Sequence, residues 1–253
     1  GSRPRSGFMA LGNDTSTMHA DFDFDGSVAL VTGVCGALGT AVARRFDAAG
    51  ATVCGVDVID PESDDSQLAD AETVDYYRTD ATDAAEVAST VEAIVDAHGR
   101  LDAVANVAGT WRGGDPVDQT SVETFDLLFD VNLKTAFLVS KHALPHLRET
   151  EGAIVSVSAR SSLEGGEGDA LYRASKAGVR LLTESIAAEN RGTVRANAVM
   201  PSVIDTPANR ELMSDGDVES WVDPDDIATT ILALCSDATS VTSGAAVRVY
   251  GEA

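Results

Sequence analysis

The stretch Ser27–Gly50, "SVALVTGVCGALGTAVARRFDAAG", decides how this chain is read. It begins with an apolar, β-branched run, "SVALVT" (27–32), of the kind a buried strand carries. A glycine-rich turn, "TGVCGALG" (32–39), follows at once. Then "LGTAVARRFDAAG" (38–50) repeats apolar residues at helical spacing and stops at Gly50. Glycines let the backbone turn sharply and approach a pyrophosphate, which meets the N–H groups and positive dipole end of the helix. A glycine-rich turn by itself is a weak signal, because tight loops use the same residues. Its place between a strand and a helix makes it a strong one.

Outward from there the alternation continues. Strands are expected at 52–57, 74–78, 101–109 (with its exit turn), 153–158, 194–200 and 246–250, and helices at 83–98, 121–131, 133–148, 170–190 and 224–236. Seven β-rich runs separated by helices predict an α/β chain of Rossmann type: a doubly wound parallel sheet of about seven strands with helices on both faces. No repeat or linker shows after residue 25, so residues 23–253 read as one dinucleotide-binding catalytic domain. Residues 1–22 lack apolar periodicity and are set aside as a tail, with Gly1-Ser2 resembling an expression scar and Met18 a possible native start.

Asp57 closes the second strand, 18 residues after Gly39. A carboxylate there accepts hydrogen bonds from ribose hydroxyls and repels a 2′-phosphate, and no basic residue follows in "VDVIDPESDD". NAD is therefore favoured over NADP; a plain loop cap is the competing role. Asp80, after the third strand, either bonds the adenine or belongs to the start of the next helix. Cys35, inside the loop, reads as a small filler beside the phosphates.

The composition limits partners. Against 18 basic residues stand 41 acidic ones, for a net charge of −23, and only Lys134, Lys141 and Lys176 are lysines. Such a surface repels nucleic acid and anionic lipid. It fits a protein adapted to molar salt, the alternative being an ordinary acidic cytosolic protein. No apolar run reaches membrane-span length, and no secretory signal is visible. Three scattered cysteines imply neither a disulfide framework nor a cysteine-type zinc site, so a reducing cytoplasm is expected.

"LYRASK" (171–176) sets Tyr172 and Lys176 four residues apart on one helix face. A phenol of ordinary pKa near 10 is a poor acid–base at neutral pH, and a neighbouring ammonium lowers that value. With "NVAG" (106–109), "VNLKTAF" (131–137) and "ANAVMPSVIDTP" (196–207), these motifs resemble the short-chain dehydrogenase/reductase family over residues 25–253. The loop also scans as Thr-Gly-x-x-Gly-x-x-Gly, the spacing of an extended branch. Only about fifty residues follow "MPSVIDTP", too few for that branch's substrate domain, so the classical branch is preferred.

The resemblance implies an NAD(H)-dependent oxidoreductase interconverting an alcohol and a carbonyl. It makes Tyr172 the proton donor and acceptor, Lys176 the ribose-binding residue that tunes it, and Asn132 the holder of a relay water. It places the cofactor against Gly33, Cys35, Gly36, Ala37, Leu38, Gly39, Asp57, Asp80, Ala81, Asn106, Ala108, Gly109, Tyr172, Lys176, Pro201, Ile204 and Thr206. It also implies a homo-oligomer, a dimer or tetramer, through the helices at 133–148 and 170–190.

One departure concerns catalysis. The family's serine falls 13 residues before the tyrosine, and position 159 is alanine. Ser158 is one residue away, which on a strand points to the other face unless the strand end bulges. A local resemblance of "VAGTWRGGDP" and "SARSSLEG" to the dihydropteridine reductase subgroup, which lacks that serine, offers a second substrate class: a quinonoid dihydropterin or quinone-like compound. A non-catalytic NAD-binding regulator is the reading of another class. Trp111, Arg160 and Trp221 are expected at the substrate, with rim packing and ion pairing as competing roles. His142 and His146 have zinc-ligand spacing but no third ligand, and no metal site is expected.

Overall fold

Val28–Thr32 forms β1, buried along its whole length, and the glycine turn delivers the chain into α1 (Ala37–Ala48). The computed structural model describes residues 22–68 and 73–251. Apart from Phe22, the expectation for a tail at 1–22 lies outside the described residues. After α1 come β2 (Thr52–Asp57), β3 (Val74–Arg78), α2 (Ala84–His98) and β4 (Ala103–Asn106). Then follow α3 (Val122–Leu128), α4 (Thr135–Thr150), β5 (Ala153–Val157), α5 (Ala170–Glu189) and β6 (Arg195–Pro201). The described chain closes with α6 (Pro207–Leu212), α7 (Pro224–Cys235) and β7 (Ala246–Val249).

All seven strands pair in parallel, in the order β3-β2-β1-β4-β5-β6-β7. Parallel strands need crossovers, and these helices cover both faces of the sheet. One apolar core lies under α1 and α7, around Phe46, Val31, Ile227 and Ile231; the other lies under α2, α4 and α5, around Leu30, Ile94, Leu147 and Ile154. Each such fully buried side chain is worth about 1.5–3 kcal/mol relative to exposure. Phe24, just before β1, meets Phe46 edge-to-face with centroids 5.1 Å apart, locking α1 to the sheet. Strand order reverses between β1 and β4, the switch point where an open α/β sheet takes its ligand.

One helix boundary differs from expectation. The helices expected at 121–131 and 133–148 form a continuous helical run, in which Phe129–Lys134 widens to π-type hydrogen bonding between α3 and α4. Asn132 is no break; it is a buried residue of the wide turn.

Candidate active site

The carboxyl ends of the strands open on a cleft of about 1050 Å³. One end is walled by Gly33, Gly36–Gly39, Val56–Ile59, Gln67 and Thr79–Thr82. The other is walled by Thr110, Trp111, Ser158–Ser161, Glu164, Asp169, Tyr172, Arg173, Leu212 and Met213. Ala108, Gly109, Lys176, Pro201, Ile204 and Thr206 lie along the wall as well.

At the glycine-rich end the loop is tightly folded. A Cβ on Gly39 would lie 1.9 Å from the Gly33 carbonyl oxygen, so only glycine lets α1 start this close to β1. The N-cap, Gly36, offers no side chain to the first turn, and no acidic residue stands there. By contrast α2, α3, α6 and α7 are capped by Asp83, Ser121, Thr206 and Asp223. The α1 terminus therefore keeps its amides and positive dipole end for an anion, which fits a dinucleotide pyrophosphate. Thr32 Oγ1 accepts from Val107 N (3.0 Å) and Ala108 N (3.1 Å), fixing the "NVAG" turn against β1.

Asp57 does two things. Its carboxylate accepts from Cys35 N (3.0 Å), Val58 N (2.8 Å) and Ile59 N (3.1 Å), so it braces the glycine loop from behind. It also stands in the cleft wall, where, among the described residues, no lysine or arginine accompanies it at that end. Gln67 is an addition that sequence reasoning missed: its N–H donates to Cys35 O (2.8 Å), folding the acidic loop back onto the cleft. Asp80 Oδ1 accepts from the N–H and hydroxyl of Thr82, and Asp83, not Asp80, caps α2. Cys35 is buried behind the loop, its thiol donating to Ile59 O (3.3 Å) and pushed up by burial, so it does not reach the cleft.

At the chemical end Tyr172 stands in the wall one helical turn before Lys176. Lys176 is buried and its Nζ donates to Val157 O (2.9 Å), an exchange of water for one carbonyl that pulls its pKa to about 8. The Tyr172 phenol shifts opposite to the expected lowering. Burial, then the Asp169 charge, push it up to about 12. A Cβ on Gly109 would lie 2.8 Å from Lys176 Nζ and 3.1 Å from Asn132 Oδ1, so the bare glycine lets β4's exit turn pass beside both groups.

Asn132 is held from three sides. Its Oδ1 accepts from Thr110 N (2.7 Å), and its Nδ2 donates to Thr110 O (3.0 Å) and Ser175 Oγ (3.0 Å). The hydroxyls of "SVSARSS" now separate. Ser156 accepts from Asn106 Nδ2 at 3.2 Å, and Ser162 is buried with its hydroxyl on Met200 sulfur. Ser158, buried at the end of β5, donates to Lys176 O at 2.8 Å, tying β5 to α5. Ala159 occupies the wall and Ser161 follows it in a short 3-10 turn.

Besides Cys35, three further expected residues fall outside the cleft wall. Asn106 is buried one layer down, its amide on Ser140 (3.1 Å) and Ser156. Asn132 sits behind Gly109 and Thr110. Trp221 is turned onto Gly216, where a Cβ would come within 2.5 Å of its ring, and supports the loop after α6 from outside. Trp111, 45 % exposed, does stand in the wall. So does Arg160, whose guanidinium lies over the Tyr250 ring at 5.1 Å. Arg173, next to the tyrosine, was not singled out from sequence. It pairs with Asp169 at 2.5 Å and reaches the carbonyls of Glu164 and Gly165, pinning the loop at that end of the cleft. The i,i+4 spacing of Asp169 and Arg173 was the available signal.

Residues 33–251 match a family model described as enoyl-(acyl carrier protein) reductase. The chain is 34 % identical to the 3-oxoacyl-[acyl-carrier-protein] reductase FabG of Thermotoga maritima, over 90 % of this chain and 97 % of that one. It is 31 % identical to meso-2,3-butanediol dehydrogenase of Serratia marcescens, over 91 % and 95 %. A short-chain type dehydrogenase/reductase from Mycobacterium ulcerans superposes with a TM-score of 0.83 at 26 % identity, covering 91 % of this chain and 90 % of that one.

Proposed function

Because this chain belongs to the short-chain dehydrogenase/reductase family of nicotinamide-dependent oxidoreductases, we propose that it interconverts an alcohol and a carbonyl with NAD(H), Tyr172 moving the proton. The observation that carries this reading is Tyr172 in the cleft wall, one turn before a buried lysine and in the same cleft as an uncapped helix N-terminus. Bound nicotinamide supplies or accepts the hydride at the substrate carbon. The chain's own residues do the rest. Tyr172, held up near 12, keeps its proton through the neutral range and is set to give it to a developing alkoxide. Lys176, one helical turn on in the same wall, is the residue placed to hold the nicotinamide ribose. Asn132 fixes Thr110 and Ser175 around the tyrosine's helix, and Ser158 positions Lys176 through its backbone.

Preference for NAD over NADP rests on Asp57 and on the lack of any basic residue in its part of the wall. A 2′-phosphate there would meet a carboxylate with no compensating cation. The substrate end supports a small molecule flanked by Trp111, Leu212 and Met213. Ala159 favours a second reading, reduction of a quinonoid dihydropterin or quinone-like ring. With Ser158 bonded to Lys176, neither position offers the carbonyl a hydroxyl, and a ring that takes hydride and proton together needs one less. Exposed Phe137 on α4 and Leu181 on α5, 45 % and 52 % accessible, support a homo-oligomer built on those helices. Among the described residues no helix is long and apolar enough to cross a membrane.

The test is cofactor consumption in molar KCl with a panel of simple ketones, sugars, quinones and quinonoid dihydropterin. The reading expects turnover with at least one of them, kcat/KM at least tenfold higher for NADH than NADPH, and that ratio reduced in Asp57→Ala. NADPH preference would overturn the cofactor assignment. Tight NADH binding without turnover of any panel member would point instead to a non-catalytic NAD-binding regulator.

A further inference from the structure

Away from the cleft, three side chains from three elements converge behind the β2–β3 edge of the sheet. Cys54 of β2 and Asp75 of β3 are register partners, so their side chains project to the same face. His98, the last residue of α2, closes over them. The Cys54 sulfur, an Asp75 carboxylate oxygen and a His98 ring nitrogen all lie within 4.8 Å of one another.

The second observation concerns His98. Its Nε2 is buried and lies 3.2 Å from Asp75 Oδ2, yet makes no hydrogen bond. The two form an ion pair by distance, but the buried ring nitrogen is left without the hydrogen bond such a group normally makes. A cation between the two would satisfy both.

We propose that Cys54, Asp75 and His98 form a binding site for a thiophilic divalent metal of the Zn²⁺ class. The donor set selects it: a thiolate and an imidazole favour zinc over magnesium or calcium, which prefer all-oxygen shells. With metal–ligand bonds of about 2.0–2.3 Å, the three ligand atoms need to draw to roughly 3.5 Å from one another. Asp75, with its side chain 54 % exposed on the edge strand, has the freedom to close that gap and leaves a path for a water as fourth ligand. Binding replaces the Cys54 S–H bond with a sulfur–metal bond and releases one proton to solvent. The metal would tie β2, β3 and the end of α2 together, on the sheet rather than in the cleft, so its role is structural. No local motif announces this site: the ligands are 21 and 23 residues apart, and only the strand register and the length of α2 join them.

The test uses the full chain, stripped with a strong chelator and then titrated with Co²⁺ and Zn²⁺. One equivalent of Co²⁺ should give thiolate-to-cobalt charge-transfer absorption and the intense d–d bands of four-coordinate cobalt, both removed by Zn²⁺. Cys54→Ala should abolish the charge-transfer band. Asp75→Asn, at an exposed edge position, keeps the fold; it and His98→Gln should weaken Zn²⁺ binding at least tenfold, and Zn²⁺ should raise Tm in the parent far more than in Asp75→Asn. Weak binding by surface carboxylates gives no charge-transfer band. Absence of that band in the parent, its survival in Cys54→Ala, or undiminished Zn²⁺ affinity in His98→Gln would overturn the proposal.

Discussion

Lys176 gives up water for a single hydrogen bond to Val157 O, and burial pulls its pKa from 10.5 to about 8. The unfolded chain keeps that proton up to about 10.5, so between the two values the unfolded state binds more protons and stability rises with pH. Below pH 8 the full penalty stands, about 3 kcal/mol. Lys176→Met should therefore be more stable than the parent at pH 7, by about 2 kcal/mol once the lost hydrogen bond is deducted. The advantage should shrink as pH rises from 8 toward 10.5, read from urea midpoints at both ends. An advantage that stays constant with pH would contradict the assignment. At this scale the sequence was informative where chemistry is local: Asp57 ends a strand, and Tyr172 and Lys176 share a helix face. It was uninformative where another element sets the direction of a side chain. Ser158 points to α5 because the Lys176 carbonyl lies there, and Asn106 is drawn inward by Ser140 and Ser156.

At the scale of elements, the wide turn Phe129–Lys134 joins three parts of the site. Its Asn132 binds the Thr110 peptide after β4 and Ser175 of α5. Bulges of this kind recur at functional sites because they re-aim one residue without ending the helix. Replacing Asn132 with Ala leaves the Thr110 amide without that partner and opens a buried gap. Thermal or urea unfolding should show a loss of about 2–3 kcal/mol, with turnover falling alongside. A loss under about 0.5 kcal/mol would remove Asn132 as the junction. Periodicity located both halves of this helical run but placed a boundary inside it, since an extra residue in one turn shifts the apolar phase just as a break does. Strand order was also beyond the pattern of runs, because the β1–β4 reversal depends on which crossover packs on which face.

For the molecule as a whole, a net charge of −23 with three lysines makes self-repulsion a global term. Salt screens it: the Debye length falls from about 10 Å at 0.1 M to about 3 Å at 1 M. Tm should therefore climb steadily from low to molar KCl, and a flat or falling profile would refute adaptation to salt. The doubly wound architecture itself was legible, because seven apolar runs alternating with helical ones have few other solutions. The convergence of Cys54, Asp75 and His98 was not, because it exists only once the whole sheet edge is assembled.

The central claim is that Tyr172 carries the proton for a reaction run on bound NAD(H), and Tyr172→Phe tests it most directly. That variant keeps the ring packing and removes only the hydroxyl. With whichever panel carbonyl the parent reduces, the account predicts a fall in kcat of at least a thousandfold, roughly the loss of a general acid, while NADH Kd stays within a few-fold of the parent. Turnover within tenfold of the parent at unchanged NADH affinity would contradict it.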